Sequence, residues 1–230
     1  MDRREFFKRA GKKSAGENKQ RYPKRMFARL APYTGNWTVN EVTHLLKRTM
    51  FGAKKSDVDY FLTLSPSVAV DELLNNIVAP TTPPVRDYGL LEDDGVVYDD
   101  LSVAIGQTWV NDPNTASAPQ IRGQINSRRI ASLKKWWAGL IINQGRSIQE
   151  KMVLFWHHHF SVQESEIENA AFLYRHHNLL RTNVLGNFKT LAREVTIDPA
   201  MLIHLNGYLN SRQAPDENYA RELQELFTVG

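Results

Sequence analysis

Helix punctuation constrains this sequence more than any other feature. From Trp37 onward, start and stop signals recur at helix-length intervals, and no stretch alternates apolar and polar residues long enough to specify a strand. Thr38-Val39-Asn40-Glu41 has capping-box spacing, in which the Thr side chain takes an orphan N–H and the Glu reaches back. It predicts a helix through Met50, with Gly52 placed to end it. Ser56 is positioned to cap a second helix through Leu64. Ser65-Pro66 opens a third to about Ile77, since proline at the first helical position gives up only an N–H that has no partner there. Leu45, Leu46, Phe51, Phe61, Val70, Leu73 and Leu74 form the expected interior of this layer. Later helices are predicted from Pro119 to Asn143 and, behind a second capping box at Ser147 to Glu150, through Phe160. Others cover about Ile167 to Val184, Phe188 to Ile197 and, restarted by Asp198-Pro199, to Leu205. A polar loop then leads to Pro215-Asp216, which starts the last helix. The predicted fold class is all-α, a multi-helix globular domain over residues 37–230.

Residues 79–118 break this rhythm. Ala79 to Pro84 holds three prolines, which fix φ and bias their predecessors away from helix. Glu92-Asp93-Asp94-Gly95 and Asn111-Asp112-Pro113-Asn114 read as turns. An irregular insertion of this length is either a lid or binding loop or a tolerated surface excursion.

Charge is uneven. Residues 1–30 carry eleven Lys or Arg against three acids, a net +8, which leaves −4 for the other 200 residues of a chain with a net charge of +4. Residues 1–36 are therefore expected to be a basic flexible tail, and the acidic body disfavours nucleic acid as a partner. The start, Arg3-Arg4-Glu5-Phe6-Phe7-Lys8, is like the core of a twin-arginine export signal, but Ala10 to Arg29 lacks an apolar segment. Localisation stays open between the cytoplasm and export through this degenerate start. The chain has no cysteine, which removes disulfides, thiol nucleophiles and Cys-ligated zinc. No apolar run approaches the roughly 18 residues of a membrane span. Neither a G-x-S-x-G elbow nor a glycine-rich phosphate loop is present.

Chemistry concentrates in the last third. In Phe155-Trp156-His157-His158-His159-Phe160, His157 and His159 lie two residues apart, so a regular helix points them some 160° from each other. One ion binds both only if the helix unwinds there. His159 falls on the apolar stripe of Ile148, Met152 and Phe155, whereas His157 projects beside Glu150 and Val153. His176 is expected to face inward and His177 to flank it. On the last helix Tyr219, Ala220, Leu223, Leu226 and Phe227 make the apolar side, and Asn218, Arg221, Glu222 and Glu225 the polar one. Glu222 and Glu225, three residues apart, can share a cation or a proton, or pair with Arg221 as a solvated face.

The chain from Thr38 to Gly230 resembles the bacterial family called domain of unknown function 1800. The segments that carry the resemblance include His44 to Ala53, Ala69 to Leu74, Lys151 to Val162, Leu185 to Phe188, Asp198 to Gly207 and Pro215 to Gly230. The family pattern F-W-H-N-H-F is met at His157 and His159, while His158 stands in place of asparagine and His177 in place of the usual glutamine. The resemblance implies no established activity. It implies a bacterial protein, often exported, often encoded beside a sulfatase-related protein that is a candidate partner. It also implies that this chain is the N-terminal part of a longer domain.

Two functions follow as expectations. One is a metal- or carboxylate-dependent enzyme with Glu222 and Glu225 as catalytic groups, His157 and His159 as ligands of a divalent metal, and Asn210, Asn218 and Arg221 as further polar contacts. Its site is expected to be completed by a C-terminal part. The other is a non-catalytic binding or scaffolding module, with the same polar residues in a buried network and Tyr88, Tyr98 and Trp109 as exposed contacts on the insertion.

Overall fold

A computed structural model describes residues 32–228, except Thr81, Asp94, Thr115, Ser117 and Asp216. The twin-arginine-like start, most of the basic tail and the Asp216 helix start lie outside the described residues. The helical body is the unit Gly35–Gly230. Its described residues form ten α-helices: α1 (Val39–Thr49), α2 (Lys55–Phe61), α3 (Pro66–Asn75), α4 (Pro119–Ile142), α5 (Gln149–His159), α6 (Glu164–Ile167), α7 (Ala170–Thr182), α8 (Phe188–Thr196), α9 (Pro199–His204) and α10 (Asn218–Phe227). A small antiparallel hairpin, β1 (Leu91–Asp93) and β2 (Val96–Tyr98), sits within the insertion. The fold is all-α, and no described helix is long and apolar enough to cross a membrane.

The capping box at Thr38 forms as its spacing predicts, and Ser65 caps α3 with Pro66 at its first position. Helix α2 starts one residue before the predicted Ser56 cap, with Lys54 at its N-cap and no side-chain bond there. These three helices enclose a core of Val42, Leu46, Met50, Val58, Phe61, Ala69 and Leu73. Leu46 and Phe61 are fully buried, each stabilising the layer by roughly 1.5–3 kcal/mol. Phe51, Val70 and Leu74, expected inside, are exposed. The helices turn so that the neighbouring positions Val42, Met50 and Ala69 fill the interior instead.

A second core joins α5, α7, α8, α9 and α10 through Phe160, Leu180, Leu191, Val195, Met201, Leu205, Leu223 and Phe227. A third packs Val103, Trp109 and Val110 of the insertion against Ile130 and Leu133 of α4 and Ala170 of α7. The insertion is therefore no loose excursion. Its polar anchor is Arg129 of α4, 1% exposed, which binds the Asp100 carboxylate at 2.9 Å and Asp112 at 2.8 Å. Arg86 closes the loop on itself, donating to the carbonyls of Asp100 (2.7 Å) and Val103 (2.8 Å). Tyr88 donates to Asp100 at 2.6 Å, and burial together with that carboxylate pushes its hydroxyl well above the usual tyrosine range. Trp109, expected as an exposed contact, is fully buried and donates to Ser132 Oγ at 2.8 Å. That expectation is corrected: an indole with an apolar body and one donor fits the α4 surface better than water.

Candidate functional site

Helices α4 and α5 both pack on α7, and the junction is polar. Its centre is Glu150. Capping-box spacing predicts that this side chain folds back over the start of α5, but it turns inward instead. Ser147 Oγ takes the Gln149 N–H at 3.1 Å, and Glu150 binds Arg181 of α7 through both oxygens, at 2.6 and 2.7 Å. Trp137 of α4 donates to the same carboxylate at 3.2 Å. A bidentate, charge-assisted pair outweighs one exposed capping bond, which accounts for the diversion. Both partners are buried, Glu150 at 6% and Arg181 at 4% exposure.

Beside this pair lie three imidazoles. His176 is clamped: Nδ1 is 3.0 Å from Asp198 Oδ2 and Nε2 is 2.9 Å from the Phe160 carbonyl. Both neighbours are acceptors, so the ring is held from both sides, with either nitrogen placed to donate to the acceptor beside it. Asp198 has a second task, accepting the Met201 N–H at 3.0 Å as the cap of α9. His177, expected only to flank the interior, is buried as deeply as His176. It packs edge-on to Trp137, centroids 4.5 Å apart, and its Nε2 lies 3.5 Å from Arg181 Nη2. Burial first, then the Arg181 charge, holds its pKa well below the ordinary histidine value. His157 lies 5.0 Å from the Trp137 ring and 6.3 Å from both His176 and His177. Burial and then the neighbouring histidines lower its pKa to about 4. The junction thus holds the Glu150–Arg181 ion pair and the His176–Asp198 hydrogen-bond contact beside the two neutral imidazoles of His157 and His177.

The other candidates lie elsewhere. His159 points away from His157, as two residues of helix require. Its Nε2 is 2.7 Å from the Phe227 carbonyl, and its ring packs among Phe155, Trp156, Phe160 and Phe188. On α10, Arg221 binds Glu222 at 2.6 Å and Glu225 at 3.1 Å and donates to Asn218 at 2.6 Å. Asn210 is exposed and caps the turn Gly207–Leu209. The structure therefore joins Glu222, Glu225, Arg221 and Asn218 in one surface cluster. No hydrogen bond, ion pair or ring contact links that cluster to His157 or His159 among the described residues. Nor do any three or more His, Asp or Glu side chains among them form a group that could hold a metal ion.

Glu150, Arg181, Trp137 and Asp198 escaped the reading of the sequence as a site. His177 and Arg181 stand at i, i+4 spacing, which is a legible signal of one face. The partners from α4, α5 and α9 are tertiary, and no local spacing announces them.

No curated protein matches this chain, and no solved structure does. A family model does, over residues 44–230, which takes in the helices from within α1 to the end of α10. By that match, the chain belongs to the family described as protein of unknown function (DUF1800).

Proposed function

We propose that the helical body is a non-catalytic binding or scaffolding module whose interior polar residues fix the packing of α4, α5, α7 and α9. The observation that carries this is how fully the Glu150 carboxylate and the His176 ring are engaged at the buried junction. Glu150 spends both oxygens on Arg181 and Trp137, and His176 spends both nitrogens on Asp198 and the Phe160 carbonyl. Groups so engaged orient helices, and freeing them for chemistry costs the hydrogen bonds that satisfy them. Urea denaturation tests the reading. Glu150→Gln leaves Arg181 buried without its counter-charge and should cost about 3–5 kcal/mol. The double variant Glu222→Gln/Glu225→Gln removes surface pairs only and should cost under about 1 kcal/mol. Equal costs, or the reverse order, would overturn the assignment of roles.

One observation favours the enzymatic alternative, a metal- or carboxylate-dependent activity using His157, His159, Glu222 and Glu225. His157 is a neutral, half-buried imidazole with no hydrogen-bond partner among the described residues, the form that accepts a proton or a metal. Metal analysis of the purified protein separates the two. Stoichiometric metal that is lost in His157→Ala and in Glu222→Ala supports the enzyme; metal content unchanged by both variants counts against it.

A further inference from the structure

A cleft of about 420 Å³ opens beside the Glu150–Arg181 pair, between the exit of α3, the end of α4 and the turn into α5. That volume is in the range of small-molecule sites. Val78, Ala79, Pro80 and Leu140 supply its apolar wall. Two polar atoms of residues lining it are buried without a partner, Arg181 Nε and Gln144 Oε1. One is a donor and the other an acceptor. Each such orphan costs roughly 1–3 kcal/mol, so a group that satisfies both is favoured there.

Charge decides the class of occupant. Arg181 is already neutralised by Glu150, and Arg146 by Asp57 at 3.0 Å, with its guanidinium 3.7 Å over the Tyr60 ring. An anion finds no free cation among these groups, and a cation finds no free carboxylate. The rim already pairs amides with peptide groups: Val78 N–H donates to the Gln149 amide oxygen at 3.0 Å, and the Asn76 amide donates to the Arg146 carbonyl at 3.2 Å. We propose that this cleft binds a neutral amide, a carboxamide side chain or a peptide unit, whose oxygen accepts from Arg181 Nε and whose N–H donates to Gln144 Oε1. Both protein atoms are buried, so the proposal requires the Gln144 side chain to turn aside as the occupant enters. The proposal rests on the reading of the body as a binding module and gives it a ligand class.

The test is a titration of the full chain with N-acetylglutamine methylamide, followed through the Arg181 Nε–H resonance in nitrogen-15 correlation spectra. A saturable downfield shift is expected, weakened roughly tenfold in Gln144→Ala by loss of one hydrogen bond. Acetate and methylammonium at the same concentration should leave the resonance in place. The proposal is overturned by the absence of a saturable shift, by equal shifts with either ion, or by unchanged affinity in Gln144→Ala. If those results come with the large cost of Glu150→Gln intact, the amide site falls and the structural role of the network stands.

Discussion

At the scale of single residues, helix geometry decides which side chains can meet. Helical geometry separated His157 from His159, and the structure keeps them on different partners, Trp137 and the Phe227 carbonyl. The same reasoning made Glu150 a capping residue, because spacing carries no information about an arginine 31 positions later. The neutral histidines give a pH dependence with a definite sign. His157 is held near 4 and His177 is also lowered, whereas both take up protons in the unfolded chain near 6.5. Between those values the unfolded state binds more protons, so stability falls as pH drops from about 6.5 to about 4. His157 alone contributes on the order of 3 kcal/mol to that loss, and substituting His157→Gln should flatten the profile in urea melts at stepped pH. Gly207 offers a second residue-scale check. A Cβ there would sit 2.5 Å from the Tyr219 ring, which is itself tethered by its hydroxyl to the Thr196 carbonyl at 2.5 Å. Gly207→Ala should therefore cost about 1–3 kcal/mol in thermal or chemical melts, as overpacking does elsewhere.

At the scale of elements, caps were the most legible feature. Thr38, Ser65 and Asp198 each start the helix their spacing announced, because a cap is a local bond between neighbours. Less legible was α6, which ends at Ile167, where the next helix was predicted to begin. Glu168 adopts a left-handed conformation with φ 46°, and Asn169 caps the restart by accepting the Phe172 N–H. The insertion was legible as irregular, but not as ordered. Its order comes from Arg129, Asp100 and Trp109, whose contacts span about twenty to thirty residues of sequence. Asp100→Ala leaves Arg129 buried with Asp112 as its one remaining carboxylate partner among the described residues and should cost about 3–5 kcal/mol. Limited proteolysis should then cut first within residues 86–112, while α1 to α3 stay resistant; uniform cleavage, or none, would contradict the anchoring role.

At the scale of the whole molecule, three apolar clusters are stitched by polar contacts. The α1–α3 layer joins the rest through Arg146 to Asp57 and the Ile148 N–H to the Leu73 carbonyl at 3.0 Å. The insertion is tied to α4 by Arg129, and α4, α5 and α7 meet at Glu150 and Arg181. Of the polar residues that suggested chemistry along the sequence, the histidines of α5 and α7 sit where helices meet, whereas the Arg221 cluster lies on the α10 surface and Asn210 is exposed at the turn after α9. The most direct test of that structural role is a double-mutant cycle on Glu150→Leu and Arg181→Met, measured by urea denaturation. Each single change should cost about 3–5 kcal/mol by stranding a buried charge, and the double variant should recover at least about 2 kcal/mol of the summed loss. Losses that add to within about 0.5 kcal/mol would show that the pair is not coupled and would contradict the role assigned to it.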